Sequence, residues 1–198
     1  MTNMRNDYKI ILNLINKNSK ILDLGCGNGA LLSLLINERS CNGSGVEIDE
    51  NEIYKCVEKG ITVSHSDIDT ILCDYSDKRF DYVILNESLQ QVLNPRKVIL
   101  ESLRVGKKVI VGIPNFCHWK GRLQIFFRGR VPVTKELPDQ WYDTPNLRFL
   151  SLKDFRYFCH NNKITILNEI GLCKDGFSLF KNNLFATMGL FLLEKNNI

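Results

Sequence analysis

Three glycines and three acids stand at intervals that suit the binding of a nucleoside-containing ligand. The glycines are Gly25, Gly27 and Gly29, in the stretch "ILDLGCGNG", an apolar run followed by a tight turn. Asp23 precedes that turn, Glu47 follows about twenty residues later, and Asp67 comes after a further apolar run. The turn satisfies two fingerprints at once. One is G-x-G-x-x-G/A, which binds dinucleotides; the other is D-x-G-x-G-x-G, the turn of S-adenosylmethionine (SAM) methyltransferases.

Asp23 separates the two readings. A dinucleotide presses its pyrophosphate against the turn, and a carboxylate there repels it. SAM has no phosphate; its sulfonium and α-ammonium are attracted by a nearby carboxylate. Glu47 is placed to accept ribose hydroxyls, and Asp67 to accept from the exocyclic amine of an adenine. Any one of these acids alone reads equally well as a solvated strand end. Three in order, at the ends of consecutive strands, favour SAM as cofactor, with Asp23, Gly25, Gly27, Gly29, Glu47 and Asp67 as its binding residues.

Methyl transfer would further require an aligned acceptor and sometimes a base. Histidine side chains ordinarily change charge near neutral pH, and His118 sits past the fifth strand, which makes it a candidate base. A histidine between Cys117 and Trp119 in an aromatic segment is nevertheless more often a packing or hydrogen-bonding residue. Glu87, beside the expected methyl position, is a second candidate of the same weight. "NESLQ" follows the fourth strand in place of the Asn/Asp-Pro-Pro-aromatic motif of amino-methylating enzymes. Catalysis is therefore left open.

The elements that must position these residues are read from apolar periodicity. Tyr8, Ile11, Leu12 and Ile15 share one face of an opening helix. Strands are expected at 20–24, 45–48, 61–64, 80–85 and 108–113. The helices between them include "ALLSLLINER" and "ENEIYKCVEKG", the latter with Ile53, Cys56 and Val57 on one face and Gly60 at its end. Asn94-Pro95 opens another, with Asn as cap. Ser151 and Asp154 form a capping box ahead of a helix carrying Leu152, Phe155 and Phe158. "ITILNEI" and "LFATMGLFLLE" read as two closing strands. Strands alternating with helices imply an α/β fold, one doubly wound, mostly parallel sheet covered on both faces.

Residues 115–150 interrupt the pattern with aromatics and cations of weak periodicity. They are read as an inserted lid over the cofactor or as a docking surface, the two ranking almost equally. RNA stacking ranks third. The plainest alternative is that the aromatics complete the core.

Composition bounds the class. The chain has 198 residues, 44% of them hydrophobic, which suits a single domain spanning 1–198. A net charge of +4 is too mild to imply nucleic acid. No apolar run of transmembrane length occurs and the first twenty residues do not read as a signal peptide, so no membrane partner is expected. Seven cysteines without a C-x-x-C pair argue against a metal site or disulfide framework and for reduced thiols in the cytoplasm.

The segments "ILDLGCGNGALLSLL", "GVEIDE", "FDYVILNESLQQVLNP" and above all "PNFCHWKGRLQIFFRGRVPVTKELPDQWYDTPNLRFLSLKDF" resemble the methionine biosynthesis protein MetW family. The first three are generic to class I SAM methyltransferases; the last carries the family likeness. It departs at Asn28, where the family has an acid, and at Ser66, where a glycine is common. The resemblance implies a seven-stranded sheet whose last strand runs antiparallel. It also implies a role in methionine biosynthesis beside homoserine O-acyltransferase (MetX), with an active methyltransferase on a small molecule as the alternative. Since SAM derives from the end product of such a pathway, feedback sensing by the bound ligand is a further expectation.

Overall fold

The computed structural model describes residues 4–134, 137–173, 176–178 and 182–196. Residues 135 and 136 of the expected insertion lie outside these. The chain opens with helix α1 (Asn6–Leu14), then alternates β1 (Lys20–Leu24), α2 (Ala30–Arg39), β2 (Asn42–Glu47), α3 (Glu50–Glu58) and β3 (Thr62–His65). A short α4 (Ile68–Ile71) and a 3-10 turn (Leu72–Asp74) lead to β4 (Phe80–Asn86), α5 (Pro95–Val105) and β5 (Gly106–Pro114). After these come α6 (Trp119–Arg128), α7 (Leu152–Asn161), β6 (Ile164–Cys173), β7 (Gly176–Ser178), α8 (Asn182–Phe185) and β8 (Met188–Lys195).

The strands form one sheet in the order β3-β2-β1-β4-β5-β8-β6-β7. β1 pairs in parallel with β2 on one side and β4 on the other. β8 runs antiparallel between β5 and β6. The seven expected strands are thus present with the last one antiparallel, and β7 adds a three-residue hairpin partner at the edge of β6.

Alternating side chains of the central strands feed two cores, one on each sheet face. Leu22, Leu24, Val83, Leu85, Val109 and Val111 pack with Val98 and Leu103 of α5 and Phe155 of α7. Ile21, Tyr82, Ile84 and Ile110 face the other way, onto Ile11 of α1 and Leu32 and Leu35 of α2. Burial on both faces is why these strands read as almost continuous apolar runs. No helix among the described residues is long and apolar enough to cross a membrane.

Local chemistry accounts for most element ends. Asp49 caps α3 by accepting the Asn51 amide, and the Ser151–Asp154 capping box makes both of its hydrogen bonds. The closing strand begins at Met188 and not at Leu184, because Leu184 and Phe185 belong to α8. Four further details differ from the sequence reading. β2 begins at Asn42, because Gly43 and Gly45 supply the space that Leu32 and Cys26 fill, an apolar contact without an apolar residue. Val57 is 61% exposed, leaving Cys56 as the buried residue of α3. Asn94 makes no side-chain cap; the Asp69 carboxylate accepts the Leu93 and Asn94 amides instead. Within 115–150, residues Trp119–Arg128 form a regular helix.

Candidate functional site

In an open α/β sheet the natural crevice lies where neighbouring strands lead away in opposite directions, here at the carboxyl ends of β1 and β4. Leaving β1, the chain turns through Gly25, Gly27 and Gly29, with φ of 75°, 50° and 71°, angles that disfavour any side chain. The amides of Gly25 and Cys26 donate to the Val46 carbonyl at 2.8 and 3.1 Å, fastening the turn to β2. Two of the glycines serve packing. A Cβ on Gly25 would lie 2.8 Å from the Ser88 Cβ, and one on Gly29 would lie 2.6 Å from Ile61 Cδ1. Gly27 is different: nothing stands within 4 Å of its missing Cβ.

Gly25 and Gly27 form one wall of a cleft of about 400 Å³. Glu47 and Ile48 close it beyond β2, Asp67 and Ile68 beyond β3, and Glu87 and Ser88 beyond β4. Four acids line it (Glu47, Asp67, Asp69 and Glu87), and no lysine, arginine or histidine among the described residues does. Such a cleft is electronegative; it draws cations and repels phosphates.

Glu47 is held in place by three backbone amides. Its Oε2 accepts from Gly27 at 2.8 Å, while Oε1 accepts from Ile48 at 2.8 Å and Asp49 at 3.1 Å. A carboxylate has about four lone-pair sites, so one remains for a ligand hydroxyl. Asp67 caps α4 through Oδ1, which accepts the Asp69 amide at 2.8 Å. Ser88 donates to the Leu24 carbonyl at 2.7 Å and thereby pins the strand-four turn against the glycine turn.

Asp23 sits behind the cleft and does not line it. It is 3% exposed, and burial, reinforced by the charge of Glu47, pushes its carboxyl up to about 7. Gly29 likewise stays out of the cleft, at the N-cap of α2. Asn28 uses its carboxamide oxygen to accept the Ala30 amide at 3.0 Å.

The two candidate bases are both engaged elsewhere. Glu87 lines the cleft with a strained φ of 63°, but its carboxylate pairs with Arg5. Arg5 in turn grips buried Asp7 through two hydrogen bonds of 3.0 and 2.7 Å, and Asn86 donates to the same Asp7 carboxylate at 2.8 Å. His118 occupies the N-cap of α6, where Nδ1 accepts from the Lys120 amide, and it does not line the cleft.

No residue of 115–150 lines the cleft among those described. The segment is nonetheless tied to its wall: the Leu147 amide donates to Gln90 at 3.0 Å, and Arg148 donates to the Val92 and Leu93 carbonyls, both at 2.7 Å. Its aromatics do not complete the core, since Phe126, Phe127, Trp141 and Tyr142 are all exposed. Sequence reasoning missed Ser88, Asp69 and the Arg5–Asp7 pair. The "DID" spacing of Asp67 and Asp69 was a local signal for a helix cap, and Arg5 and Asp7 stand only two residues apart; the contacts of Ser88 with Leu24 and of Arg5 with Glu87 span too many residues to leave one.

Comparison with known proteins agrees with this geometry. The family model described as methionine biosynthesis protein MetW matches residues 5–193. A bifunctional methionine biosynthesis protein MetXA/MetW of Rhodopirellula baltica is 35% identical over 173 residues, which cover 83% of this chain and 28% of that relative. The chain therefore spans little more than a quarter of the relative's length. Among solved structures, a SAM-dependent methyltransferase of Thermotoga maritima, described as a possible histamine N-methyltransferase, superposes with a TM-score of 0.70 at 16% identity. That match covers 97% of this chain and 90% of the other. A SAM-dependent methyltransferase from Archaeoglobus fulgidus gives 0.66 at 16% identity, covering 96% and 91%. At such identities the likeness is one of fold.

Proposed function

The chain belongs to the methionine biosynthesis protein MetW family, and from that premise we propose that it binds SAM in the acidic cleft and supports a homoserine O-acyltransferase as its partner. One observation carries the ligand assignment: the wall facing the glycine turn holds four carboxylates and no cation among the described residues. Arg5 pairs with Glu87, which leaves Glu47, Asp67 and Asp69 to repel an entering diphosphate and to attract a sulfonium and an ammonium. Gly27 leaves room for close backbone approach, Glu47 keeps one acceptor site for a ribose hydroxyl, and Asp67 stands beside Ile68 for the base. Asp23, behind the turn, adds negative potential once ionised.

The partnership rests on the family and on the relative in which MetXA and MetW share one chain. SAM is made from methionine, so a SAM-binding subunit beside an early enzyme of that pathway gives the enzyme a reading of end-product supply. A cytoplasmic setting belongs to the same proposal, in keeping with seven cysteines that are all free. Methyl transfer is not part of it: Glu87 is committed to Arg5, and His118 to a helix cap.

Calorimetric titration with SAM and with NAD tests the ligand, and tight NAD with no SAM binding overturns it. Acyltransferase turnover in the reconstituted pair, followed as SAM is added, tests the regulation. A rate that ignores SAM at every concentration refutes sensing.

A further inference from the structure

Helix α6 is amphipathic in the wrong direction for a helix packed on its own domain. Trp119, Leu123, Phe126 and Phe127 follow one another at spacings of four, three and one, the stripe that a surface helix normally turns inward. Here the stripe faces solvent: the four residues are 39%, 44%, 79% and 75% exposed. Gly121 is the one buried residue of the helix, set under the Phe116 carbonyl and Pro132. The loop that follows extends the same surface with Val131 and Trp141, also exposed.

The cations around the stripe make no ion pair with a described carboxylate. All the ion pairs found among the described residues lie outside 115–150; Arg122 donates to the Cys117 and Asn183 carbonyls and Lys120 lies over the Trp119 ring. Gln124 locks the loop to the helix, donating to the Val133 carbonyl at 3.2 Å and accepting its amide at 3.1 Å. Beside that lock lies a notch of about 210 Å³ between Arg128, Arg130 and Gln140. Its size and charge suit one carboxylate side chain.

We infer that the outward stripe of α6, with Arg128 and Arg130, is the surface that docks the acyltransferase, seating in an apolar groove with an acidic rim on that subunit. This rests on the partnership proposed above and adds where the contact is made. Exposed Phe and Trp flanked by arginine have the composition of interface hot spots. A second copy of this chain is a poorer occupant, because a twofold interface would bring the same arginines against each other. RNA would neutralise the cations but leave Leu123 and Val131 wet. A lipid surface has no use for the notch.

The test measures affinity between the full chain and the acyltransferase of the same organism by calorimetry at two salt concentrations. Two variants are compared with wild type: Phe126→Ser with Phe127→Ser, and Arg128→Glu with Arg130→Glu. Thermal melts and SAM titrations check that each still folds. We expect each pair to weaken the complex by about thirtyfold or more, with SAM binding unchanged and with the salt dependence reduced only in the charge-reversed pair. A complex that forms normally with both variants overturns the assigned surface and leaves the partnership standing. Absence of any complex with wild type overturns the partnership and this inference together. If the substitutions abolish self-association, RNA binding or attachment to anionic vesicles while sparing the acyltransferase, the surface belongs to that other partner and the inference fails.

Discussion

The Glu47 carboxylate accepts the Gly27 amide at 2.8 Å across the gap between β2 and the glycine turn. The residue proposed to meet a ribose hydroxyl is therefore also the brace that shapes the glycine turn.

Removing the brace should cost both properties. Glu47→Ala strips an acceptor from the Gly27, Ile48 and Asp49 amides, all near the cleft. We expect a stability loss of about 1–3 kcal/mol and at least about a tenfold loss in SAM affinity, the latter equal to about 1.4 kcal/mol. Chemical denaturation and calorimetry measure the two separately. Unchanged SAM affinity would remove Glu47 from the ligand site.

The glycines should divide by role. Gly29→Ala drives a methyl to 2.6 Å from Ile61 Cδ1 and 2.9 Å from Cys56 Sγ, so its penalty should appear as a lower melting temperature. Gly27→Ala meets no neighbour but keeps a positive φ, a backbone cost of about 1–2 kcal/mol. Its methyl projects into open space at the turn, so the larger effect should be on SAM affinity. Equal binding losses from both substitutions would contradict this division.

Ionisation of Asp23 predicts a pH profile. Its carboxyl is raised to about 7 by burial and by the charge of Glu47, with Tyr8 and Cys26 as the other titratable neighbours. A carboxyl raised on folding stabilises the ligand-free protein fully below its unfolded value near 4, and that stability is lost as pH rises through 7. Cationic SAM prefers the ionised form, so its affinity should increase between pH 6 and pH 8. Asp23→Asn should flatten both curves; a profile identical to wild type would place the titrating group elsewhere.

The Arg5 clamp is open to a double-mutant cycle. Arg5→Ala removes two hydrogen bonds from Asp7, which is 5% exposed and keeps Asn86 as a donor. The expected cost is about 1–3 kcal/mol. Glu87→Gln, on the more exposed arm of the clamp, should cost less than about 1 kcal/mol. A coupling near zero between Arg5 and Glu87 would mean that the pair is incidental.

What the sequence disclosed was local or periodic. The Ser151–Asp154 box lies within one turn of chain, and its hydrogen bonds follow from residue type and spacing alone. Strands such as Phe80–Asn86 announced themselves because both faces are buried. Hidden features have equally physical reasons. Asn42–Glu47 starts on polar and glycine residues because its neighbours' side chains fill the space. Trp119–Arg128 escaped notice because its apolar stripe serves no internal core, so the usual link between periodicity and burial is broken. Of the ligand site, the glycines and the ends of β2 and β3 were readable from spacing. That Asp23 lies behind the cleft, and that Glu87 pairs with Arg5, 82 positions away, required the fold.

The placement of β8 bears on how the protein is made. Because Met188–Lys195 separates β5 from β6, the β6–β7 hairpin cannot join the rest of the sheet until those residues have left the ribosome. The apolar edge of Val109–Ile113 must wait, bare, through translation of more than seventy intervening residues. A nascent chain arrested before Gly189 would leave that edge open to pairing with another chain, a vulnerability that follows from the strand order itself.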